Sequence, residues 1–329
     1  MKDFYQQLQK AELHLHLDGS LRPKTLLDLA WKQNIVLPYS SVSELKTALC
    51  FQRGWDLPRC LQSFSTTLSV LQTPESLERV AYELCEDLVR DGVTYAEIRY
   101  CPSLHTKQSL SLGEVPSLVG KGLTRAQVEF GIRAKQIITC LRNLGPSHAE
   151  EMVSLAISSV HYGVVGVDLA GNEYEFPPED FAQIFQYARS HGLHVTIHAG
   201  EGNTPQTTKN IRTSLEENGA ERIGHGVAAS LDEDLLNLLV ERGITVEVCL
   251  TSNIHTGSIK DYKNHPARTF YDRGIVIIPC ADNTFLSQTT TSREYRHLAV
   301  SNGFTKKELR SIAKQSFTVS FSGGVVNES

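Results

Sequence analysis

The chain has 329 residues, of which 40% are hydrophobic and 21% charged, and its formal net charge is −5 at pH 7. This composition is typical of a globular protein and excludes fibrous and disordered chains. The 37 acidic residues outnumber the 32 lysines and arginines, which are scattered along the sequence, so we expect no nucleic-acid partner.

No segment approaches the ~18 consecutive apolar residues that a transmembrane helix needs, and residues 1–10 lack the apolar core of a secretory signal. The seven cysteines are odd in number and form no C-x-x-C pair. Several of them lie in apolar runs, which favours buried free thiols over disulfides. We therefore expect a cytoplasmic protein without a membrane partner.

Eight β-type runs alternate with amphipathic segments along the chain. The predicted strands are Ala11–Leu17, Thr94–Tyr100, Val128–Ile138, Gly163–Ala170, His194–Gly200, Arg222–Val227, Thr245–Leu250 and Val276–Cys280. Helical patterns between them cover Pro74–Asp91, His148–His161, Pro178–His191 and Asp232–Gly243. Strands that alternate with helices predict a parallel sheet. Eight such units without a linker predict an α/β fold, a (β/α)8 TIM barrel, as a single domain over residues 1–329.

The first predicted strand contains the most informative pair of residues, His14 and His16. Leucines alternate with polar residues from Glu12 to Asp18, so a strand directs both imidazoles to the same side. Imidazoles on a rigid strand are good ligands for zinc or a related divalent ion. An isolated pair of this kind is equally compatible with ordinary hydrogen-bonding histidines. The rest of the chain must therefore decide between the two interpretations.

A helical insertion is predicted after this first strand. Between Trp55 and Leu71, apolar residues recur at spacings of three and four after Pro58, which is the pattern of a buried helix face. Core packing and the covering of a ligand pocket are both open interpretations of this face. At the other end of the chain, the capping box Thr305-Lys-Lys-Glu308 predicts one last helix.

Three later strands end in side chains that can bind a metal ion or transfer a proton. The segments are His194-Val-Thr-Ile-His198-Ala-Gly-Glu201, Arg222-Ile-Gly-His225-Gly226 and Val276-Ile-Ile-Pro-Cys-Ala-Asp282-Asn283. The active site of a (β/α)8 barrel is assembled at the carboxyl ends of its strands, which is where these residues lie. Glu97 and Glu247, which lie inside apolar strands, are predicted to be hydrogen-bonding groups of the barrel interior, and His194 a strand-start residue.

Together, the strand ends supply three imidazoles and one carboxylate. With an open position for water, this is the composition of a catalytic zinc site, whereas structural zinc sites favour thiolates. Such a metal lowers the pKa of its bound water to about 7. We predict one zinc ion per chain, with Glu201 and His225 left over as acid/base groups. The predicted ligands are His14, His16, His198 and Asp282.

Six motifs follow one another along nearly the whole chain. They are Glu12–Pro23, Val167–Glu173, His198–Glu201, Arg222–Gly226, Cys249–Gly257 and Ala281–Asn283. In their order and spacing they resemble the motifs of the adenosine deaminase family, in the amidohydrolase superfamily. The resemblance implies a (β/α)8 hydrolase whose partner is a small purine nucleoside, and which converts adenosine to inosine and ammonia. The oligomeric state is left open.

The resemblance also implies roles for the acid/base groups. Glu201 would protonate N1 of the purine as hydroxide adds to C6, which requires a pKa high enough to keep a proton available. His225 would orient the metal-bound water and help to deprotonate it, with Asp282 assisting. Ammonia would then depart from a tetrahedral carbon.

Four residues would contact the substrate according to the resemblance: His16, Asp18, Gly171 and Asn283. Asp18 would receive a ribose hydroxyl, the backbone N–H of Gly171 would donate to N3, and Asn283 would lie against N7. Many family members carry a second aspartate in place of Asn283. This departure leaves open a related substrate, such as adenine, a methylated adenine nucleotide or 6-amino-6-deoxyfutalosine.

Two other classes of function are compatible with a barrel of this kind. A barrel metallohydrolase that opens an amide or an ester would use the same hydroxide. Such enzymes commonly hold two metals bridged by a modified lysine or a carboxylate, and the fourth predicted strand ends in Asp168-Leu-Ala-Gly171, without a lysine. A non-catalytic purine-binding or partner-binding barrel is disfavoured because Glu201 and all four predicted ligands are present.

Overall fold

Eight parallel strands stand side by side in chain order in this computed structural model, which describes residues 2–322. They are β1 Lys10–His16, β2 Val93–Tyr100, β3 Arg133–Leu141, β4 Val164–Ala170, β5 His194–Ala199, β6 Arg222–His225, β7 Thr245–Val248 and β8 Val276–Pro279. Each strand pairs in parallel with the next one along the chain. The carboxyl ends of all eight strands therefore lie at one face of the sheet.

The sheet closes where β1 meets the segment after β8. Leu15 forms a parallel bridge with Asp282. The His16 N–H donates to the Asp282 carbonyl oxygen over 2.8 Å, and the Asp282 N–H donates to the His14 carbonyl oxygen over 2.9 Å. This closure confirms the predicted (β/α)8 TIM barrel. It also brings the histidine pair of β1 next to the carboxylate that follows β8.

Every crossover between consecutive strands contains at least one α-helix. The fourteen α-helices of the described residues are α1 Phe4–Gln7, α2 Pro23–Lys32, α3 Val42–Leu49, α4 Leu57–Ser69, α5 Pro74–Arg90, α6 Glu114–Phe130, α7 Gly145–Ser158, α8 Ala182–Ser190, α9 Pro205–Glu216, α10 Glu233–Glu241, α11 Leu250–His255, α12 Ala267–Asp272, α13 Thr291–Asn302 and α14 Lys306–Thr318. As predicted, Thr305 caps α14 with a capping box. Within residues 2–322, no helix has the length and apolar character that spanning a membrane requires.

The third strand begins later than the sequence pattern predicts. The apolar residues from Val128 suggested a strand, but helix α6 continues to Phe130 and β3 begins at Arg133. Gly131 ends the helix in the left-handed conformation at φ 75°, which glycine adopts without steric cost. Val128 is 84% exposed on the last turn of the helix. Gly131 is the local sequence signal for this helix end, because glycine is common directly after a helix.

The insertion after β1 is helical, as predicted, and consists of α2 to α5. Asp56 caps α4 by accepting the Arg59 N–H, and Pro58 lies in its first turn. The predicted apolar face is present, and it lies partly in the protein core and partly against the cavity at the barrel mouth. Leu71 is fully buried in the core, whereas Leu57, Leu61, Phe64 and Leu68 line the cavity at the barrel mouth.

The cysteines are as the sequence predicted. All seven lie within the described residues, and each is a buried free thiol. Burial raises the pKa of Cys50 and Cys101 to about 11 and that of Cys60 and Cys85 to about 12. These thiols stay protonated at neutral pH, so their contribution is packing.

Candidate active site

Three imidazoles predicted as metal ligands converge at the carboxyl ends of β1 and β5. His14, His16 and His198 each offer a ring nitrogen, and these atoms all lie within 4.8 Å of one another. The Nε2 atoms of His16 and His198 are 3.2 Å apart. Parallel strands in a closed barrel place residues that are 182 positions apart in sequence at the same point.

Asp282 completes the predicted ligand set. Its Oδ1 lies 3.6 Å from His14 Nε2 and 3.4 Å from His16 Nε2. Asp282 has a φ of 61° and His225 a φ of 65°. Positive φ values are uncommon for residues other than glycine, and such strained residues cluster at functional sites. The two strand ends thus hold a costly backbone conformation where the candidate chemistry lies.

The donor set fits zinc or a related divalent ion. His14 Nε2 is buried and has no hydrogen-bond partner within the described part of the chain. The other ring nitrogen, Nδ1, lies 2.7 Å from Glu247 Oε2, a contact that places the proton on Nδ1 and the free electron pair on Nε2. Three imidazoles and one carboxylate are the donor composition of a catalytic zinc site.

Buried carboxylates hold two of these histidines. His198 Nδ1 lies 2.9 Å from Asp168 Oδ1, as His14 Nδ1 does from Glu247. Arg99 joins the two carboxylates, because one guanidinium nitrogen lies 3.0 Å from Glu247 and the other 3.4 Å from Asp168. Such outer partners fix the orientation of metal-binding imidazoles and raise their basicity.

These partners were only partly foreseen. Glu97 and Glu247 are interior hydrogen-bonding groups, as predicted, and Arg222 pairs with both of them. The sequence reading assigned no role to Asp168 or Arg99. Their position within apolar strands was the available signal, since a buried charge requires a partner.

Cys249 forms a second possible donor group with His14 and His225. Burial raises the pKa of this thiol well above its ordinary value. A thiol must lose its proton to bind a metal, so the group built on Cys249 is the weaker candidate. The site with Asp282 supplies a ligand that is already ionised, since interaction with His14 and His16 holds the pKa of Asp282 well below its ordinary range against the opposing effect of burial.

Glu201 and His225 lie beside this cluster. Glu201 Oε1 is 4.0 Å from His225 Nε2. Burial, followed by the negative charges of Asp282 and Glu173, raises the pKa of Glu201 to about 8, so its carboxyl is protonated at neutral pH. Burial lowers the pKa of His225 well below its ordinary value, so this ring is neutral.

A hydrogen bond from Asn253 determines which nitrogen of His225 carries the proton. The Asn253 amide nitrogen donates to His225 Nδ1 over 3.1 Å, and the amide oxygen accepts from His265 Nε2 over 3.2 Å. The His225 proton is therefore on Nε2, which faces Glu201. This tautomer favours a role in orienting water by donation over a role as proton acceptor.

Most members of the cluster line a cavity of about 350 Å³, and His14 is buried next to them. The predicted substrate-contact residues His16, Asp18, Gly171 and Asn283 all line this cavity. Four apolar side chains of α4 form part of its wall, so the insertion contributes directly to the pocket. Cavities of this size, with apolar walls and a few convergent polar groups, are typical of small-molecule sites.

The predicted substrate contacts differ in how they are held. Asp18 is 6% exposed, its Oδ1 has no partner within residues 2–322, and burial raises its pKa to about 7. Gly171 has a φ of 107°, which a side chain would not tolerate. Asn283 packs on Gly19 so closely that a Cβ there would lie 1.7 Å from Asn283 Oδ1. This oxygen has no hydrogen-bond partner among the residues that the structure describes.

Comparison with known proteins agrees with this geometry. A family model described as adenosine deaminase matches residues 9–324. Among curated proteins, the adenosine deaminase of Clostridium acetobutylicum is 37% identical over 315 residues, which are 95% of this chain and 93% of that protein. A probable adenosine deaminase of Dictyostelium discoideum is 38% identical over 97% of this chain, and the match spans only 41% of that protein.

Solved structures of related enzymes share the fold. An adenine deaminase from Arthrobacter aurescens superposes with a TM-score of 0.88 at 28% identity, covering 95% of this chain and 93% of that chain. An amidohydrolase from Burkholderia ambifaria with bound Zn superposes with a TM-score of 0.88 at 25% identity, covering 99% of this chain and 88% of that one. By its sequence motifs, its barrel and these matches, the chain belongs to the adenosine deaminase family.

Proposed function

We propose that this protein hydrolyses adenosine to inosine and ammonia with the aid of one zinc ion per chain. The observation that carries the proposal is the convergence of three imidazoles, Asp282 and the protonated Glu201 beside one cavity. The curated relatives named adenosine deaminase support it at 37–38% identity. The seven buried thiols suit the reducing, cytoplasmic compartment predicted from the sequence.

The metal would be held by His14, His16, His198 and Asp282. A zinc ion there supplies Lewis-acid chemistry that makes a water molecule reactive at neutral pH. Asp168 and Glu247 accept the Nδ1 protons of His198 and His14, which would leave the Nε2 electron pairs of these two rings free to bind the metal.

The remaining residues move or place protons. Glu201 gives its proton to N1 of the purine as the oxygen of water bonds to C6. The water loses one proton to Asp282, which passes it to N6; the C6–N6 bond then breaks, ammonia leaves, and the proton of the C6 hydroxyl returns to Glu201. His225 donates from Nε2 to orient the attacking water. Asp282, which lies beside His14 and His16 and is ionised there, is the acceptor for the proton that this water loses.

Recognition of the nucleoside falls on the residues of the cavity wall. Asp18 accepts a ribose hydroxyl, the Gly171 N–H donates to N3, and Asn283 donates to N7. His16, the last residue of β1, lines the cavity together with Asp18 and would contact the substrate next to it. Asp18 favours adenosine over the free base, because a buried acceptor without a ribose hydroxyl would stay unpaired.

An ultraviolet assay tests the proposed reaction. The purified protein is mixed with adenosine, adenine or N6-methyl-AMP, and the absorbance is followed as it moves from the adenine to the hypoxanthine band. We expect the highest kcat/KM for adenosine. A higher value for adenine or the methylated nucleotide would assign a related 6-aminopurine, and no turnover of any of them would favour the amide or ester hydrolase.

Asn283 provides a test of purine recognition. N7 is only a hydrogen-bond acceptor, and the neutral amide of Asn283 donates at any pH. We expect 7-deazaadenosine to lose about 1–3 kcal/mol of transition-state binding, because it leaves this amide unpaired. The Asn283→Leu variant should lose activity on adenosine and narrow the difference between the two compounds. Equal kcat/KM values with the unaltered enzyme would exclude Asn283 from recognition.

A further inference from the structure

Glu173 accepts hydrogen bonds from the backbone on both sides of Glu201. This residue lies in the loop after β4 and is 2% exposed. Its Oε2 accepts the Gly200 N–H over 3.0 Å, and its Oε1 accepts the Gly202 N–H over 3.1 Å. One carboxylate therefore binds the backbone N–H groups of the two glycines that flank the candidate proton donor.

Glu173 is itself held in place. The amide nitrogen of Asn210, on α9, donates to Glu173 Oε2 over 3.0 Å and to its carbonyl oxygen over 3.1 Å. Arg142 is buried and donates to the carbonyl oxygens of His198 and Phe176, so it joins the end of β5 to the same loop. The loop after β4 and the segment that carries Glu201 thus form one hydrogen-bonded unit.

The two glycines beside Glu201 let this unit pack closely. A Cβ on Gly202 would lie 1.9 Å from the Tyr174 hydroxyl oxygen, and a Cβ on Gly200 would lie 2.4 Å from Ile211 Cδ1. Gly200 also has a φ of 67°. Close packing together with two charge-assisted hydrogen bonds leaves the Glu201 backbone little freedom.

We infer that Glu173 is the positioning residue of Glu201: it sets the position of the proton donor by binding the peptide N–H groups before and after it. The inference rests on the proposed role of Glu201 as the proton donor to N1. Proton transfer needs the donor within hydrogen-bond reach of the acceptor. A displacement of about 1 Å at a reacting group costs about 10²-fold in rate.

The Glu173→Gln variant tests this inference. Glutamine has one acceptor oxygen and one donor nitrogen, so it satisfies one of the two peptide N–H groups and opposes the other. We expect kcat to fall at least ~10-fold and up to ~10²-fold, with KM changed less than threefold and full metal content. Glu173→Asp keeps both acceptor oxygens on a shorter side chain and should recover part of the rate.

A double-mutant cycle separates positioning from general damage. If Glu173 acts through Glu201, Glu173→Gln should cause no further loss in a Glu201→Gln background. Additive losses would overturn the inference, as would an unchanged kcat in Glu173→Gln. Glu221→Gln is the matched control, because Glu221 also accepts a backbone N–H, that of Val195, but at the start of β5. We expect it to keep its kcat.

The outcomes for this inference and for the proposed function are distinguishable. A Glu201→Gln variant with normal kcat would overturn the proposed proton donor. Loss of rate in Glu201→Gln together with normal rate in Glu173→Gln would overturn only the positioning role. If Glu173→Gln does not fold, Glu173→Asp provides the test, because its shorter side chain cannot reach the Gly200 and Gly202 N–H groups without displacing the backbone around Glu201. Unchanged kcat in that variant would also contradict the inference.

Discussion

Replacement of Glu201 by glutamine should lower kcat by about 10²–10⁴-fold, the usual contribution of general acid catalysis, while the protein keeps its metal. The pKa of Glu201 is raised to about 8, so its carboxyl holds a transferable proton at neutral pH and loses it as the pH rises above that value. Glutamine has nearly the same shape and no proton to transfer. The ultraviolet assay gives kcat and elemental analysis gives the metal content.

The control for this variant is Glu221→Gln, which makes the same chemical change directly before β6, where Glu221 accepts the Val195 N–H. Normal turnover by Glu201→Gln would show that another group supplies the proton. Loss of both turnover and metal would place Glu201 among the ligands, contrary to the proposal.

The His198→Ala variant should lose both its metal and its activity. Purified protein should contain one zinc per chain, and removal of one imidazole from four ligands leaves a poorly matched site. His194→Ala is the control on the same strand, since His194 pairs with Glu221 at the start of β5, as predicted for a strand-start residue. Two metals per chain, or full occupancy in His198→Ala, would contradict the assignment.

An intermediate effect is expected when only the outer partner of His198 changes. Asp168→Asn removes the negative charge beside His198 Nδ1 but leaves the imidazole in place. Metal affinity, measured by competition with a chelator, should fall about 10–100-fold. An unchanged affinity would assign Asp168 to barrel stability through Arg99 rather than to the metal site.

Much of the fold could be predicted from periodicity. Eight apolar runs between amphipathic helices leave few arrangements other than a parallel barrel, because each strand must bury both faces. The exception was the start of β3, where Val128 was predicted to begin a strand but lies on an exposed face of helix α6. Periodicity alone does not separate a short apolar helix end from a strand.

The candidate ligands could also be predicted, for a related reason. In a barrel, the carboxyl end of each strand lies at the same face, so His14, His198 and Asp282 were expected to meet although the chain separates them widely. The motif resemblance then assigned them roles. Glu201 and His225 followed from the same rule, since each comes at the end of a strand.

The groups that hold these residues depend on the tertiary structure. Asp168 lies beside His198, and Glu173 binds backbone N–H groups next to Glu201. The hydrogen bond from Asn253 fixes the tautomer of His225. Each contact joins residues that are 27 to 30 positions apart in sequence. No local sequence pattern predicts these contacts. The sequence by itself determined the barrel and the reactive residues, because periodicity and strand ends are local properties. Only the tertiary structure decided their orientation and protonation, because these depend on which buried partner each side chain meets.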